Sequence, residues 1–397
     1  MIRARRSCTV GITQGSRYNR EDRIYYMAES EKTGLALHRA EINEIDAQMA
    51  KLFTRRMEAA SHIAEYKREH GLPITDRARE EALLSRCAAL VNDELRAYYM
   101  DFLRAEIEIS KRYQKRITEG MRIAFAGIEG AFSHLAARRI FPSGQTVACA
   151  DFGAAYRSVV SGECDCAVLP IENSFAGDVN SVIDLAYEGD LSVSGVFDLP
   201  VVQSLLVKPG TRMEDITEVV SHPQALSQCS EYLERHGWTR TEAVNTAVAA
   251  QTVSGSDRLD IAVVAGEEAA ARYGLSVLRH GINTQKNNTT RFAVFTKTPC
   301  TAAAGDAHFI LFFTVRDAPG ALGQAVECIG RSGYNLQSLK SRPTGNQNWE
   351  YYFYAEGEGC LAQEAGRKML ADLAACCSRV KLLGSCPAPV LLEAQEG

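Results

Sequence analysis

The stretch Asn287-Asn288-Thr289-Thr290-Arg291-Phe292 places uncharged hydrogen-bonding side chains and a fixed cation directly ahead of the apolar run Phe292-Ala293-Val294-Phe295. A hydroxyl held beside a guanidinium suits an anionic substrate that loses an oxygen leaving group. Taken alone, the same run is an ordinary polar loop entering a strand. A second group of chemistry-bearing residues lies upstream, with Arg39, Arg56 and Lys67 set among apolar neighbours. On a helix, Arg56 and Lys67 return to nearly the same face, about 16 Å apart along the axis. Two long side chains leaning together can grip one small molecule across that gap. Arg39 lies about 42 Å from Lys67 along a straight helix, so it reaches a shared ligand only from a second copy of the chain. Asp76, Arg79 and Glu80 share one helix face at i, i+3, i+4, and Ser110 and Gln114 are i, i+4 neighbours. Residue by residue, the competing reading of this set is a solvated face with ion pairs.

Three further segments carry loop chemistry. Gly127-Ile128-Glu129-Gly130-Ala131-Phe132-Ser133 follows a strand and opens a helix, a junction that points backbone N–H groups at an anion. It lacks the GxGxxG and Gly-Lys-Ser patterns of nucleotide loops. Pro170-Ile171-Glu172-Asn173-Ser174 follows the strand Ala167–Leu169, and Ser221-His222-Pro223-Gln224 follows Val219-Val220. His222 suits acid–base work or the capping of a helix started by Pro223.

The elements that must position these residues fall into three blocks. Residues 33–117 read as three helices: a first, more than 30 residues long, stopped at Gly71 and Pro73; a second capped by Thr75 or Asp76; and a third over roughly 93–117. A first helix of that length spans roughly 50 Å, and its apolar stripe calls for a second copy. Over 121–298, short strands at 122–126, 166–169, 191–193, 203–207, 218–220 and 260–264 alternate with helices, which argues for open α/β sheets with ligands at the carboxyl ends of strands. Residues 301–306 read as a linker. Residues 307–387 follow a βαββαβ, ferredoxin-like order. Residues 1–28 hold six arginines and two acids and read as a disordered or non-native extension, with an organellar transit peptide as the other option.

Composition narrows the class. At 397 residues, 46% hydrophobic and 23% charged, the chain is an ordinary multidomain globular protein. A net charge of −5 gives no global attraction to nucleic acid or acidic membrane, and no apolar run is long enough to span a bilayer. The twelve cysteines are scattered without zinc spacing and read as reduced thiols in the cytosol.

Taken together, the helical residues resemble the all-helical chorismate mutases: Arg39, Arg56, Lys67, Asp76, Arg79, Glu80, Ser110 and Gln114 fall at that family's active-site positions in order. The resemblance implies an intertwined dimer in which Arg39, Arg56 and Arg79 hold carboxylates and Lys67 and Gln114 donate to the ether oxygen. Glu80 would bind the ring hydroxyl, with Asp76 and Ser110 as secondary contacts. Residues 122–298 resemble prephenate dehydratase through Gly127-x-x-Gly130-x-Phe132-Ser133-His134, Pro170–Ser174, Ser221–Gln224 and Asn288-x-Thr290-Arg291-Phe292. That family has two α/β lobes like a periplasmic binding protein. The resemblance makes Thr290 the catalytic threonine and Arg291 a carboxylate ligand, and has Asn173, Ser174 and Ser221 line the cleft. Three positions depart from the usual pattern: Ala131 where relatives often carry Ser or Thr, Thr289 in place of an apolar residue, and Asn245-Thr246 for Ser-Thr.

The last block resembles ACT regulatory domains, in which Gly320-Ala321-Leu322 and Ser341-Arg342-Pro343 would bind phenylalanine between paired domains. Lys340 and Gly323 replace the more usual Glu and Val. The whole implies a bifunctional cytoplasmic enzyme, a homodimer or homotetramer, taking chorismate to prephenate and prephenate to phenylpyruvate. Phenylalanine would be its effector, and neither reaction needs a metal or redox cofactor. The alternative from another class is a non-catalytic amino-acid-sensing binding protein.

Overall fold

The computed structural model describes residues 20–298, 305, 307–344, 351–361 and 363–393, the side chains of 20–33 excepted. The expected linker therefore lies outside the described residues except at 305, as does the expected N-terminal extension up to residue 19. The chain divides after Thr118 into two compact units.

The first unit is three helices: α1 (Arg20–Glu69), α2 (Arg77–Ala88) and α3 (Arg96–Glu119). The helix begins at Arg20, well before the expected start near 33, and so takes in the end of the expected extension. The segment from Arg20 to Lys32 is rich in Glu, Arg, Ala, Met and Lys, which are good helix formers. Asp76 caps α2, its carboxylate accepting from the Arg79 N–H at 3.1 Å. α3 buries Leu103, Ile107, Ser110 and Gln114, one stripe at steps of three and four, and α1 buries Met57, Ala60 and Ala64. Farther along α1, Ile42, Ile45, Met49, Leu52 and Phe53 stay exposed, Leu52 at 61%.

The second unit holds three sheets. The first runs in the order Val390–Leu391, Ser192–Pro200, Thr289–Thr296, Cys166–Asn173, Arg122–Ala126, Gln145–Cys149, with Gly177–Asp178 attached to Cys166–Asn173. The second runs Ser276–Arg279, Ser204–Val207, Ile261–Ala265, Glu218–Ser221, Thr239–Glu242. Each has its own apolar core, the first built around Leu169, Val168 and Phe295, the second around Leu205, Val219 and Val263. The residues that read as a loop after Leu169 are in fact strand as far as Asn173. Pro170 can sit inside a central strand because the ladder to Thr289–Thr296 shifts register there, Arg291 opposing Glu172 and Phe292 opposing Pro170. A bulge removes the need for the proton that proline lacks.

The third sheet, in the order Asn335–Pro343, Tyr351–Glu358, His308–Thr314, Arg379–Cys386, carries helices Ala321–Arg331 and Glu364–Cys376 and completes the βαββαβ order. It is covered on both faces. Phe309, Leu311 and Phe313 pack under the two helices. Ile310, Phe312, Tyr352 and Tyr354 instead share a core with the first sheet's lobe, where Tyr187 stacks on Tyr352 at 3.9 Å. The sequence His308-Phe-Ile-Leu-Phe-Phe-Thr314 is apolar on both alternations, and a strand of that kind must be buried twice.

Candidate active sites

Seven of the eight residues singled out in the helical unit line one cavity of about 460 Å³: Arg56, Lys67, Asp76, Arg79, Glu80, Ser110 and Gln114. Arg39 is not among them and is exposed on α1. The cavity also takes in Glu106 and Lys111, which sequence reading missed. The signal was present for Glu106, which shares the i, i+4 stripe with Ser110 and Gln114. Arg56 pairs with Glu106 at 3.0 Å, and Lys111 pairs with Glu80 at 3.2 Å and Glu108 at 2.5 Å. The Glu108 bond, above all, holds the Lys111 ammonium above its ordinary range, against the opposing cost of burial. The Lys67 ammonium donates to the Ile74 carbonyl at 2.6 Å, which ties the end of α1 to the turn before α2.

Charge at this cavity favours an anion. Arg56, Lys67, Arg79 and Lys111 face Asp76, Glu80 and Glu106, which leaves one net positive charge; a further Arg39 would make two. Gln114 is buried, with its Nε2 3.3 Å from Ser110 Oγ and its Oε1 without a partner. Exchanging the amide atoms lets the Ser110 hydroxyl donate to Oε1 and frees an N–H to point into the cavity.

The second cavity, of about 560 Å³, opens between the first two sheets of the second unit. Thr290 and Asn173 line it, as do Gly127, Ala131, Phe132 and Ser133 of the glycine loop. Asn173 is 6% exposed and its orientation is fixed by the chain: Oδ1 accepts from the Phe175 and Ala176 N–H groups at 3.0 and 2.8 Å. Its Nδ2 must therefore be the donor to Thr290 Oγ1 at 2.9 Å and to Asn288 Oδ1 at 2.9 Å. With its oxygen already accepting a hydrogen bond, the Thr290 hydroxyl is left to send its own proton into the cleft.

Three residues expected in this cleft face elsewhere. Arg291 follows Thr290 on a strand, and successive side chains leave opposite faces. Its guanidinium pairs with both oxygens of Asp198, at 2.9 and 3.1 Å, and with Glu356 at 3.2 Å. Asp198 in particular holds it well above its ordinary range, so it is not a free carboxylate ligand. Ser221 is fully buried and donates to the Val264 carbonyl at 2.5 Å, closing strand on strand. Ser174 accepts from the Thr289 N–H at 2.9 Å and shapes the chain beside the site. His222 caps the helix Pro223–Gln228 through Nδ1, 3.2 Å from the Gln224 N–H.

The cavity lining, among the described residues, contains no lysine or arginine. Four helix N-termini meet there instead, at Ala131-Phe132, Asp151-Phe152, His222 to Gln224 and Asn245-Thr246. Asp151 and Asn245 cap their own helices, while the helix from Phe132 has no side-chain cap because Ala131 has none to offer. The uncapped N–H groups at Phe132 give an anion a ready set of donors.

In the third sheet's domain, Gly320 adopts φ 82° to open the helix Ala321–Arg331, and Leu322 packs into the domain core. Ser341, Arg342 and Pro343 end the edge strand Asn335–Pro343. Arg342 is committed to Asp184, at 2.8 and 2.7 Å, rather than free as a ligand-binding cation. Burial pushes the Asp184 carboxyl up, but Arg342 and Tyr352 together bring it below its usual range. Lys340 reaches Glu172 at 3.1 Å and Asp178 at 2.5 Å. A glutamate at that position would face two carboxylates, which accounts for the departure from the more usual residue.

A prephenate dehydratase family model matches residues 123–300, and a chorismate mutase type II model matches residues 38–115. The bifunctional chorismate mutase/prephenate dehydratase of Enterobacter agglomerans is 31% identical over 376 residues, covering 90% of this chain and 97% of its own. Arogenate dehydratase/prephenate dehydratase 1, chloroplastic, of Arabidopsis thaliana is 36% identical over 282 residues, covering 67% of this chain and 72% of its own. Among solved structures, the prephenate dehydratase from Arthrobacter aurescens in complex with L-Phe superposes with a TM-score of 0.63 at 25% identity, over 69% of this chain and 93% of that one.

Proposed function

Because the chain belongs to the bifunctional chorismate mutase/prephenate dehydratase family, which converts chorismate to prephenate and prephenate to phenylpyruvate, we propose that each of the two cavities is the site of one reaction. The two matched enzyme families set aside the alternative of a non-catalytic sensor. The rearrangement of chorismate is pericyclic and needs no nucleophile. It needs a dicarboxylate held in a compact chair and a donor at the breaking ether oxygen. Arg56 and Arg79, with Arg39 of a second copy, take the carboxylates. Lys67 and the freed amide of Gln114 face the ether oxygen, and Glu80, held by Lys111, takes the ring hydroxyl. The net charge of the cavity, raised to two by Arg39, is equal and opposite to the substrate's.

Dehydration of prephenate breaks two bonds, the ring-to-carboxylate carbon bond and the ring-to-hydroxyl bond. Carbon dioxide leaves, its electron pair aromatises the ring, and the hydroxyl leaves as water once it gains a proton. Thr290 supplies that proton, steered by Asn173, and its alkoxide regains one from solvent water when the products leave. The helix N-termini, above all the uncapped one at Phe132, receive the carboxylates in place of Arg291. The hydrogen bond from Asn173 to Thr290 is the observation that carries this reading. Its test is Thr290→Ala: prephenate turnover should fall by about 10²- to 10⁴-fold while chorismate turnover is retained. Parent-like prephenate turnover would remove Thr290 from the mechanism.

For regulation, we infer that phenylalanine binds at the turn Gly320–Leu322 against Ser341 and Pro343 of a paired domain. The L-Phe complex of the Arthrobacter enzyme supports this by likeness, and among the described residues Asn335–Pro343 is paired along one side only, which leaves room for pairing. The exposed apolar face of α1 supports the reading of a homodimer or homotetramer. Cys87, Cys149, Cys164, Cys229, Cys328, Cys376 and Cys377 are free thiols, in keeping with a reducing, cytoplasmic setting. Calorimetry with phenylalanine tests the effector site; the absence of a binding heat at millimolar ligand would refute it.

A further inference from the structure

The pair Thr290 and Asn173 has a second pair directly behind it. In the antiparallel register Thr290 opposes Asn173 and Arg291 opposes Glu172. Alternation sends the first pair to the cleft and the second toward the C-terminal sheet. Both members of the rear pair are gripped from that sheet. Arg291 meets Glu356 at 3.2 Å, and Glu172 meets Lys340 at 3.1 Å.

The grip is built rather than incidental. The Glu356 side chain is 1% exposed; it also accepts from the Tyr354 hydroxyl and lies 3.4 Å from His308. A carboxylate buried this deeply persists only with such partners. Burial pushes its carboxyl up, and His308, Tyr354 and Arg291 together outweigh that and keep it ionised. Lys340 adds a second clasp through Asp178, at 2.5 Å, on the short strand paired with Glu172 and Asn173. The ladder itself gives less support here, because the bulge follows immediately after Arg291.

We propose that Glu356 and Lys340 are positioning residues for dehydration: by holding Arg291 and Glu172 from behind, they set the approach of the Thr290 hydroxyl to the Asn173 amide on the cleft face. The inference rests on Thr290 being the proton donor. It also gives the C-terminal domain a mechanical hold on the reaction, since any displacement of the strand Asn335–Pro343 is delivered through Lys340 to the catalytic pair.

The test uses the full chain with Glu356→Gln, which keeps size and an acceptor for Tyr354, and Lys340→Met, which keeps the stem. In each, kcat for prephenate should fall roughly tenfold or more, with KM held within about twofold and chorismate turnover at the parent level. Lys340→Arg should restore most of the lost rate. Prephenate kcat within about twofold of the parent in both charge-removing variants would overturn the proposal. Should Glu356→Gln fail to fold, as shown by loss of both activities, the Lys340 pair decides: a slow Met variant with a restored Arg variant supports it, and a parent-like Met variant refutes it. Full dehydratase activity in Thr290→Ala would instead refute the underlying assignment, whatever the other variants do.

Discussion

At the scale of single residues, a threonine hydroxyl is a poor acid, and what would make Thr290 usable in its proposed role is the direction in which its proton is sent. Two backbone N–H groups fix the Asn173 amide, the amide nitrogen donates to Thr290 Oγ1, and the remaining hydrogen faces the cleft. A serine at 290 keeps this arrangement and loses only the methyl group. Thr290→Ser should therefore retain prephenate kcat within about tenfold while Thr290→Ala loses at least about a hundredfold. Steady-state assays on the two variants decide it, and equal losses would show that packing of the methyl group matters more than the hydroxyl. Arg291 shows the opposite outcome. As a cation next to the proposed catalytic hydroxyl it reads as a substrate ligand, yet alternation along the strand turns it to Asp198 and Glu356. The alternation was legible in the sequence; the carboxylates waiting behind the strand were not, because they come from residues 93 and 65 positions away.

At the scale of elements, the cleft is assembled from the ends of helices and strands. The glycine loop illustrates how. Gly127 and Gly130 adopt φ 100° and 91°, a left-handed backbone closed to most side chains, and the Gly130 N–H donates to His134 Nδ1 at 3.1 Å. That bond requires an unprotonated Nδ1. Burial, the largest influence, pushes the imidazole below its ordinary 6.5; Arg272 and Arg138 add to this and Glu129 opposes it. The unfolded chain thus takes up a proton as pH falls through 6.5 while the folded chain does not, so stability is fully present above 6.5 and drains away as pH falls toward the lowered folded value. Urea unfolding between pH 7.5 and 5 should show the parent losing more stability than His134→Gln, whose amide oxygen can still accept from Gly130. Parallel curves would mean that the loop does not depend on a neutral imidazole. The strand through Pro170 was hidden for a comparable reason: proline signals an end to a strand, and only the bulge at Ile171, next to it in the same strand, makes it tolerable.

At the scale of the whole molecule, two apolar surfaces set the organisation. The double-sided strand His308–Thr314 draws the C-terminal sheet onto the dehydratase lobe, so that a domain expected to hang from a linker shares its core. The exposed stripe of Ile42, Ile45, Met49, Leu52 and Phe53 on α1 suits a second copy, which on the proposed reading would also bring Arg39 within reach of a cavity it does not line in its own chain. Two defective chains should then complement each other. Arg39→Ala and Arg56→Ala should each lose chorismate turnover by about a hundredfold or more. Mixed and allowed to exchange subunits, they should recover about a quarter of parent activity, since half the dimers are mixed and each of those holds one intact site. No recovery after proven exchange would place Arg39 outside the partner's site.

The sequence by itself determined the helical and α/β blocks and the two chemistries, and it picked out residues that the fold gathers around one helical cavity, because helix periodicity and motif order are local and survive without a structure. Seven of the eight helical residues meet around one cavity because each lies at a fixed spacing on its own helix. What only the tertiary structure decided is which way the polar side chains of the dehydratase strands face and what they meet. Ser221 closes a strand pair, Arg291 and Arg342 bind carboxylates of the protein itself, and helix N-termini from distant segments line the cleft where a guanidinium was expected. Partners of that kind are chosen by packing between residues far apart in the chain, and no local pattern records them.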